Sequence, residues 1–357
     1  MKICFVCGDI NKTGGTERVC LLIANELAKK HSVTILSFKN GLNPLFKCNN
    51  KIKLKSLNLN EYSGFIRRKV EPYIKLKRFL KNNPQDIIIT VDVILCLYTI
   101  PMKLFFKTKI IAWEHFNFRT NNGVKNRDRA RRLSAKYADY IVVLTKTDLI
   151  EYQNNCNLKC PIINIYNPIV GCIKKSRMEK IVLAVGRFSY AKNFQELIDI
   201  WEKIENNNQD WKLVICGDGE EYNKLNKMVK DRKLKNIVLP GFCKNVSKYY
   251  SKASIYAMTS RYEGFPMVLL EAQQYSIPLI SYDCFTGPSE IIENGKNGYL
   301  IKYGDIEEFI AKLSDLMCDN DKLQLFSKNS SSMVKSYDIE NIITQWHKIL
   351  EILKNKE

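Results

Sequence analysis

Long apolar runs are missing from this chain of 357 residues. No stretch approaches the roughly 18 apolar residues of a membrane-spanning helix. The first apolar run, Ile3 to Val6, is far too short for a secretory signal. There is no G-x-G-x-x-G, so a nicotinamide-binding site is weakly supported. No low-complexity tract interrupts the chain, and no recognisable nucleic-acid motif accompanies its charge. Cysteine is present, at twelve residues, but without a paired zinc pattern. Cys4-x-x-Cys7 has no second pair and falls on a strand. Without an export signal, the thiols are expected to be reduced, cytosolic and mostly in the core. Histidine is scarce, at three residues.

What is present is a large cationic excess, +19 overall. Residues 1–170 hold 29 Lys and Arg against 12 Asp and Glu, and the remainder holds 27 against 25. The excess clusters at Arg67-Arg68-Lys69, at Lys75, Lys77, Arg78 and Lys81, at Lys103, Lys107 and Lys109, and at Arg127, Arg129, Arg131 and Arg132. The first two clusters share a segment with Phe65, Ile66, Val70, Tyr73, Ile74, Leu76, Phe79 and Leu80. That basic amphipathic pattern suits an anionic membrane surface. Lys103-Leu104-Phe105-Phe106-Lys107 adds aromatics between lysines. A solvated basic face or a nucleic-acid groove would produce the same charge.

Apolar content of 45% and this length predict two packed domains. β-rich runs (Lys2 to Val6, Val33 to Phe38, Ile87 to Val91, Lys109 to Trp113, Tyr140 to Leu144) alternate with helical patterns. The alternation restarts at Ile181 to Val185 and runs through Trp211 to Cys216, Ile237 to Leu239, Ile255 to Met258 and Pro278 to Tyr282. Helices are expected between them, among them Val246 to Lys252, Pro266 to Tyr275 and Ser289 to Asn294. Strand and helix in alternation imply an α/β class with two doubly wound, Rossmann-like parallel sheets. The expected division is 1–172, 173–335 and a terminal helical segment 336–357 packing back on the first domain, with a joint near Pro168 to Arg177. Ligands of such sheets bind beyond the carboxyl ends of the strands.

Four loops carry candidate chemistry. Gly14 and Gly15 follow the first strand and let backbone N–H groups approach an anion. Gly186-Arg187-Phe188-Ser189-Tyr190-Ala191-Lys192-Asn193 places an Arg and a Lys near a helix start, a fork and a point charge suited to a diphosphate. Cys216-Gly217-Asp218-Gly219-Glu220 suits a tight turn near a nucleotide. In Glu263-Gly264-Phe265-Pro266, Pro266 is expected at the first helical position, with N–H groups pointing at an anion. Glu271, among apolar neighbours, needs a partner such as a ligand hydroxyl. Thr286-Gly287-Pro288-Ser289-Glu290 follows the next strand. His115 ends a strand of the first domain and is expected to face the ligand cleft. Asp319-Asn320-Asp321 looks metal-like but reads as a solvated turn.

These motifs, with Asn297-Gly298, resemble the family-four retaining glycosyltransferases of the GT-B fold. The resemblance runs over essentially the whole chain and is strongest from 181 to 303. The first domain is similar to that of bacterial enzymes extending lipid-linked oligosaccharides for O-antigen, capsule or protein glycans. The resemblance implies roles by position. Gly14 and Gly15 approach the donor diphosphate, and Arg187 and Lys192 neutralise it. Glu263 binds donor-sugar hydroxyls, with Gly264, Phe265 and Pro266 near sugar and phosphate. Glu271 holds the ribose, and His115 sits by the donor sugar and acceptor. It implies a UDP-sugar donor, no cofactor and no metal. The acceptor is a lipid-linked, polyprenyl diphosphate glycan. The site of action is the inner face of the cytoplasmic membrane. A nucleotide-sugar epimerase or hydrolase on the same fold, or a non-catalytic basic binding protein, are the competing expectations.

Overall fold

The computed structural model describes residues 1–59, 65–121, 123–171, 173 and 178–355. The chain divides into two compact units, Met1–Pro168 with Ile339–Glu357, and Ile169–Asp338. Part of the expected joint, at 172 and 174–177, lies outside the described residues.

The first unit is built on seven strands: β1 (Lys2–Cys7), β2 (Ser32–Ser37), β3 (Lys53–Ser56), β4 (Ile87–Val91), β5 (Lys109–Trp113), β6 (Tyr140–Val143) and β7 (Ile162–Asn164). They lie in the order β3-β2-β1-β4-β5-β6-β7, and every pairing is parallel. A central strand of such a sheet is covered on both faces and needs a continuous apolar run. Ile87–Val91 meets this, being buried along its whole length. The short β3 and β7 escape sequence reading. Lys-Leu-Lys-Ser and Ile-Ile-Asn are a few residues each, and neither is fully buried. The helix Ile339–Lys354 completes this unit, with Trp346 edge-on to Trp113 at 4.8 Å between ring centroids.

The second unit holds β8 (Ile181–Val185), β9 (Lys212–Cys216), β10 (Ile237–Gly241), β11 (Ile255–Met258), β12 (Leu279–Asp283) and β13 (Gly298–Lys302). Their order is β10-β9-β8-β11-β12-β13, again all parallel. The strand order reverses between β8 and β11, the point at which open α/β sheets bind ligands. Trp201, Phe309 and Leu313 pack among the buried side chains of this sheet. The fold is α/β with two Rossmann-like sheets, the architecture of the GT-B class.

Three expected helices are trimmed. Val246 to Lys252 forms helix only at Ser247–Tyr250, and Ser289 to Asn294 becomes Pro288–Ile291. Pro266 is not the first helical residue. It is the extended N-cap of Met267–Gln274, at φ −75° and ψ 91°. Asp319 is no idle turn residue, for its carboxylate accepts from the Lys322 N–H and caps the helix Asn320–Met333. No helix among the described residues is long and apolar enough to cross a membrane.

Candidate active site

In the second unit, two loops leave the switch point side by side. The first follows β8. Gly186 N–H donates to Cys216 O at 3.0 Å, and Phe188 N–H donates to Asp218 O at 2.9 Å. This draws the 217–220 loop against 186–188 so closely that a Cβ on Gly217 would strike the Gly186 carbonyl. One on Gly219 would strike the Phe188 backbone. Glycine is therefore required at both positions, a specific physical reason for a Gly-Asp-Gly turn. Arg187 emerges from this loop 74% exposed and pairs with Glu220 at 3.0 Å.

The second loop follows β11 and carries Glu263. Lys192 Nζ stands 2.6 Å from Glu263 Oε1, both side chains mostly enclosed. The diphosphate clamp expected from Arg187 and Lys192 is thus split: each cation is held by a carboxylate, Glu220 and Glu263. Thr286 Oγ1 donates to Glu263 O at 2.7 Å. A Cβ on Gly287, at φ +100°, would meet Pro266 and the Gly264 carbonyl. Gly264 and Phe265 therefore lead into the helix Met267–Gln274 against a fitted neighbour, with Phe265 buried near Tyr337.

Glu271 has the partner that its surroundings demand. Tyr250 Oη donates to Glu271 Oε2 at 2.9 Å. Tyr250 stacks on Tyr256 and Tyr275, at 6.0 and 5.5 Å between centroids. Tyr256 Oη in turn donates to Val185 O at 3.2 Å, tying the stack to the end of β8. Sequence reasoning missed this tyrosine stack, because Tyr250 lies on a four-residue helix with no motif around it. The structure therefore brings Arg187, Lys192, Glu263, Gly264, Phe265, Pro266 and Glu271 together on the second unit.

Gly14, Gly15 and His115 belong to the first unit: Gly14 ends the loop after β1, Gly15 opens the helix that follows, and His115 lies just beyond β5. Gly14 caps the helix Gly15–Leu27. The Glu17 carboxylate folds back over it, so close that a Cβ on Gly14 would strike its Oε2. Burial pushes the Glu17 carboxyl up, against the pull of the nearby backbone N–H groups of Glu17 and Gly14. A carboxylate thus occupies the place that the sequence assigned to a phosphate. His115 is buried over Trp113 at 4.3 Å. Burial, helped by the Arg127 charge, pulls its imidazole down to about 3, so it is neutral at physiological pH. Its Nε2 is buried without a partner among the described residues.

The cluster Arg127, Arg129, Arg131 and Arg132 is not a surface patch. Arg127 and Arg131, one helical turn apart, are 2% and 1% exposed, and Arg129 and Arg132 point to solvent. Arg127 Nη1 donates to Asp92 Oδ1 at 2.6 Å. Arg131 Nε donates to Glu114 Oε2 at 2.8 Å, and Tyr152 Oη donates to the same oxygen at 3.1 Å. Arg131 Nη2 reaches Asn117 O at 2.8 Å. Burial opposes the Arg131 charge, yet Glu114 outweighs it and holds the guanidinium pKa above its ordinary value. This buried cluster fixes the chain on both sides of His115.

The remaining basic segment is only partly exposed: Leu76 and Leu80 are buried in the core of the first unit and Tyr73 and Phe79 pack against it, so much of the apolar side expected to meet a membrane faces the protein instead. Helix Phe65–Asn82 presents Val70 and Ile74 to solvent, and its Lys77 Nζ lies 3.5 Å from the Phe105 ring. Leu104 is 82% exposed. Lys103 is engaged by Asp139 at 2.9 Å. The Arg67-Arg68-Lys69 side chains lie outside the described residues.

Comparison with known proteins gives a consistent picture. Residues 173–333 match the model described as "Glycosyl transferases group 1", and residues 13–170 match "Glycosyltransferase Family 4". The amylovoran biosynthesis glycosyltransferase AmsD of Erwinia amylovora is 32% identical over 374 residues, covering 98% of this chain and 99% of that one. A Campylobacter jejuni α-1,4-N-acetyl-D-galactosaminyltransferase is 27% identical over 361 residues, with 99% of each chain covered. Its name specifies a GalNAc-containing undecaprenol diphosphate glycan. The crystal structure of Anabaena Alr3699/HepE in complex with UDP and glucose superposes with a TM-score of 0.82 at 17% identity, covering 98% of this chain and 99% of that one. That likeness speaks to the fold.

Proposed function

The chain belongs to the family-four glycosyltransferases of the GT-B class, and within that family we propose that it moves a hexose or N-acetylhexosamine from a UDP-sugar to a lipid-linked glycan. Galactose, N-acetylgalactosamine and glucose are the sugars proposed, the product serving bacterial surface polysaccharide. The observation that carries this reading is the Lys192–Glu263 pair beside the start of helix Met267–Gln274. A cation, a carboxylate and the first N–H groups of a helix that no side chain caps stand together where a sugar diphosphate needs all three.

Each residue then has a task. Lys192 and Arg187 leave their carboxylates for the diphosphate and stabilise it as it departs. Glu263, released, accepts from donor-sugar hydroxyls, and Gly264, Phe265 and Pro266 lie along sugar and phosphate. Glu271, oriented by Tyr250, accepts from the ribose hydroxyls. On the first unit, Gly14 and Gly15 offer N–H groups to the diphosphate in place of Glu17. His115, being neutral, contributes a hydrogen bond and no charge. Transfer proceeds with retention. The acceptor oxygen bonds to the anomeric carbon on the face that the diphosphate leaves. The anomeric C–O bond breaks, and the hydroxyl proton passes to the departing phosphate oxygen. The cations and helix N–H groups do the work that a metal does elsewhere, so neither metal nor cofactor is invoked.

The acceptor is proposed to be a polyprenyl diphosphate glycan, met at the cytoplasmic face of the membrane. The exposed Val70, Ile74, Leu104 and Phe105 beside Lys77 and Lys107 support docking on anionic phospholipid. Binding to phosphatidylglycerol vesicles is expected, and it should weaken steeply as salt rises. Absent or salt-independent binding would remove the membrane part. The donor is tested by thermal unfolding with UDP-, GDP- and ADP-sugars. A donor at a hundred times its Kd adds about 2.7 kcal/mol of stability. UDP-sugars alone should raise the midpoint, and a flat response to all of them overturns the proposal.

A further inference from the structure

Arg261 has no part in the scheme above, yet its side chain joins the turn that carries Lys192 to the loop that carries Glu263. Its Nε donates to Tyr190 O at 3.2 Å, and its Nη2 donates to Asn193 Oδ1 at 2.7 Å. The guanidinium lies 4.4 Å from the centroid of the Tyr190 ring. The Arg261 N–H donates to Ala191 O at 2.8 Å. The turn is thus gripped on both sides of Lys192. Asn193 itself sits at φ +53°, a left-handed position that asparagine tolerates, and Arg261 holds its side chain there. Nη1 donates to Tyr303 Oη at 3.3 Å, which anchors the guanidinium from its far side.

We propose that Arg261 is a positioning residue, which locks the 190–193 turn against the 260–263 loop so that the Lys192 ammonium stands where the donor diphosphate lies. A lysine is a point charge on a flexible stem, and its place is set by the backbone beneath it. The planar fork and stacking face of arginine meet Tyr190, Asn193 and Tyr303 at once, which an ammonium does not. The inference rests on the proposed role of Lys192 toward the diphosphate.

Calorimetric binding of UDP and of uridine to the full chain tests it, with wild type, R261A, R261K, K192A and the R261A/K192A double variant. Uridine lacks the diphosphate and reports only base and ribose contacts. K192A is expected to weaken UDP binding about tenfold, the scale of one hydrogen bond to a charged group. R261A and R261K should each weaken it several-fold, with uridine binding unchanged. The double variant should bind UDP no worse than K192A, because both changes act through one ammonium. Equal losses for UDP and uridine would mean a merely structural role. Additive losses would mean that Arg261 acts apart from Lys192, and unchanged UDP binding by R261A and R261K would mean that it does nothing. Each overturns the inference and leaves the donor site standing. Wild-type UDP binding that K192A does not alter, or a wild type that ignores UDP, overturns the site and the inference together.

Discussion

Arg131→Ala is expected to destabilise the first unit by about 3 kcal/mol, the lower end of the range for breaking a buried ion pair from one side. The larger part is the charge left behind. Glu114 is 1% exposed, and losing Arg131 removes its bond at 2.8 Å. Arg127 at 3.5 Å and the Tyr152 hydroxyl still face it, which keeps the loss from the upper end. The carbonyls of Asn117 and Phe118, which now accept from Arg131, also lose their donor. Arg129→Ala, on the exposed side of the same helix, should fall within about 0.5 kcal/mol of wild type. Urea unfolding of the two variants measures the difference. Equal, small effects would mean that the guanidinium at 131 is not what holds Glu114.

Lys192→Ala should lower transfer by about 10²- to 10³-fold, the scale of removing one preorganised charge from a developing anion. Two effects combine. The leaving diphosphate loses an ammonium, and Glu263 loses its partner at 2.6 Å. Arg187→Ala should cost less, about tenfold. Arg187 is largely exposed, where water screens its charge, and it already answers to Glu220. Initial rates with saturating donor and acceptor rank the two. Transfer within threefold of wild type in K192A would place the reacting diphosphate elsewhere.

Much of this was legible before any coordinates. Ile-Ile-Ile-Thr-Val and Ile-Val-Leu-Ala-Val announce central parallel strands, because only a strand covered on both faces tolerates such runs. The glutamates at 263 and 271 stand out through the helix start between them. Their partners do not. Lys192 meets Glu263 across 71 residues of chain, and Tyr250 meets Glu271 across 21. No local pattern encodes such pairings. The arginines at 127 and 131 misled for a different reason. A basic cluster is usually solvated, but the four-residue spacing of these two sets them on one helix face, turned inward toward Asp92 and Glu114. Glu114, adjoining His115 in sequence, was the overlooked clue.

The contact between Trp113 and Trp346 makes the first unit discontinuous along the chain. Its sheet is encoded before Ile169–Asp338 and its closing helix, Ile339–Lys354, after it. A chain cut before residue 339 would keep every residue of the second unit but lose the helix whose Trp346 packs on Trp113, so the damage would fall on the unit at the other end of the sequence.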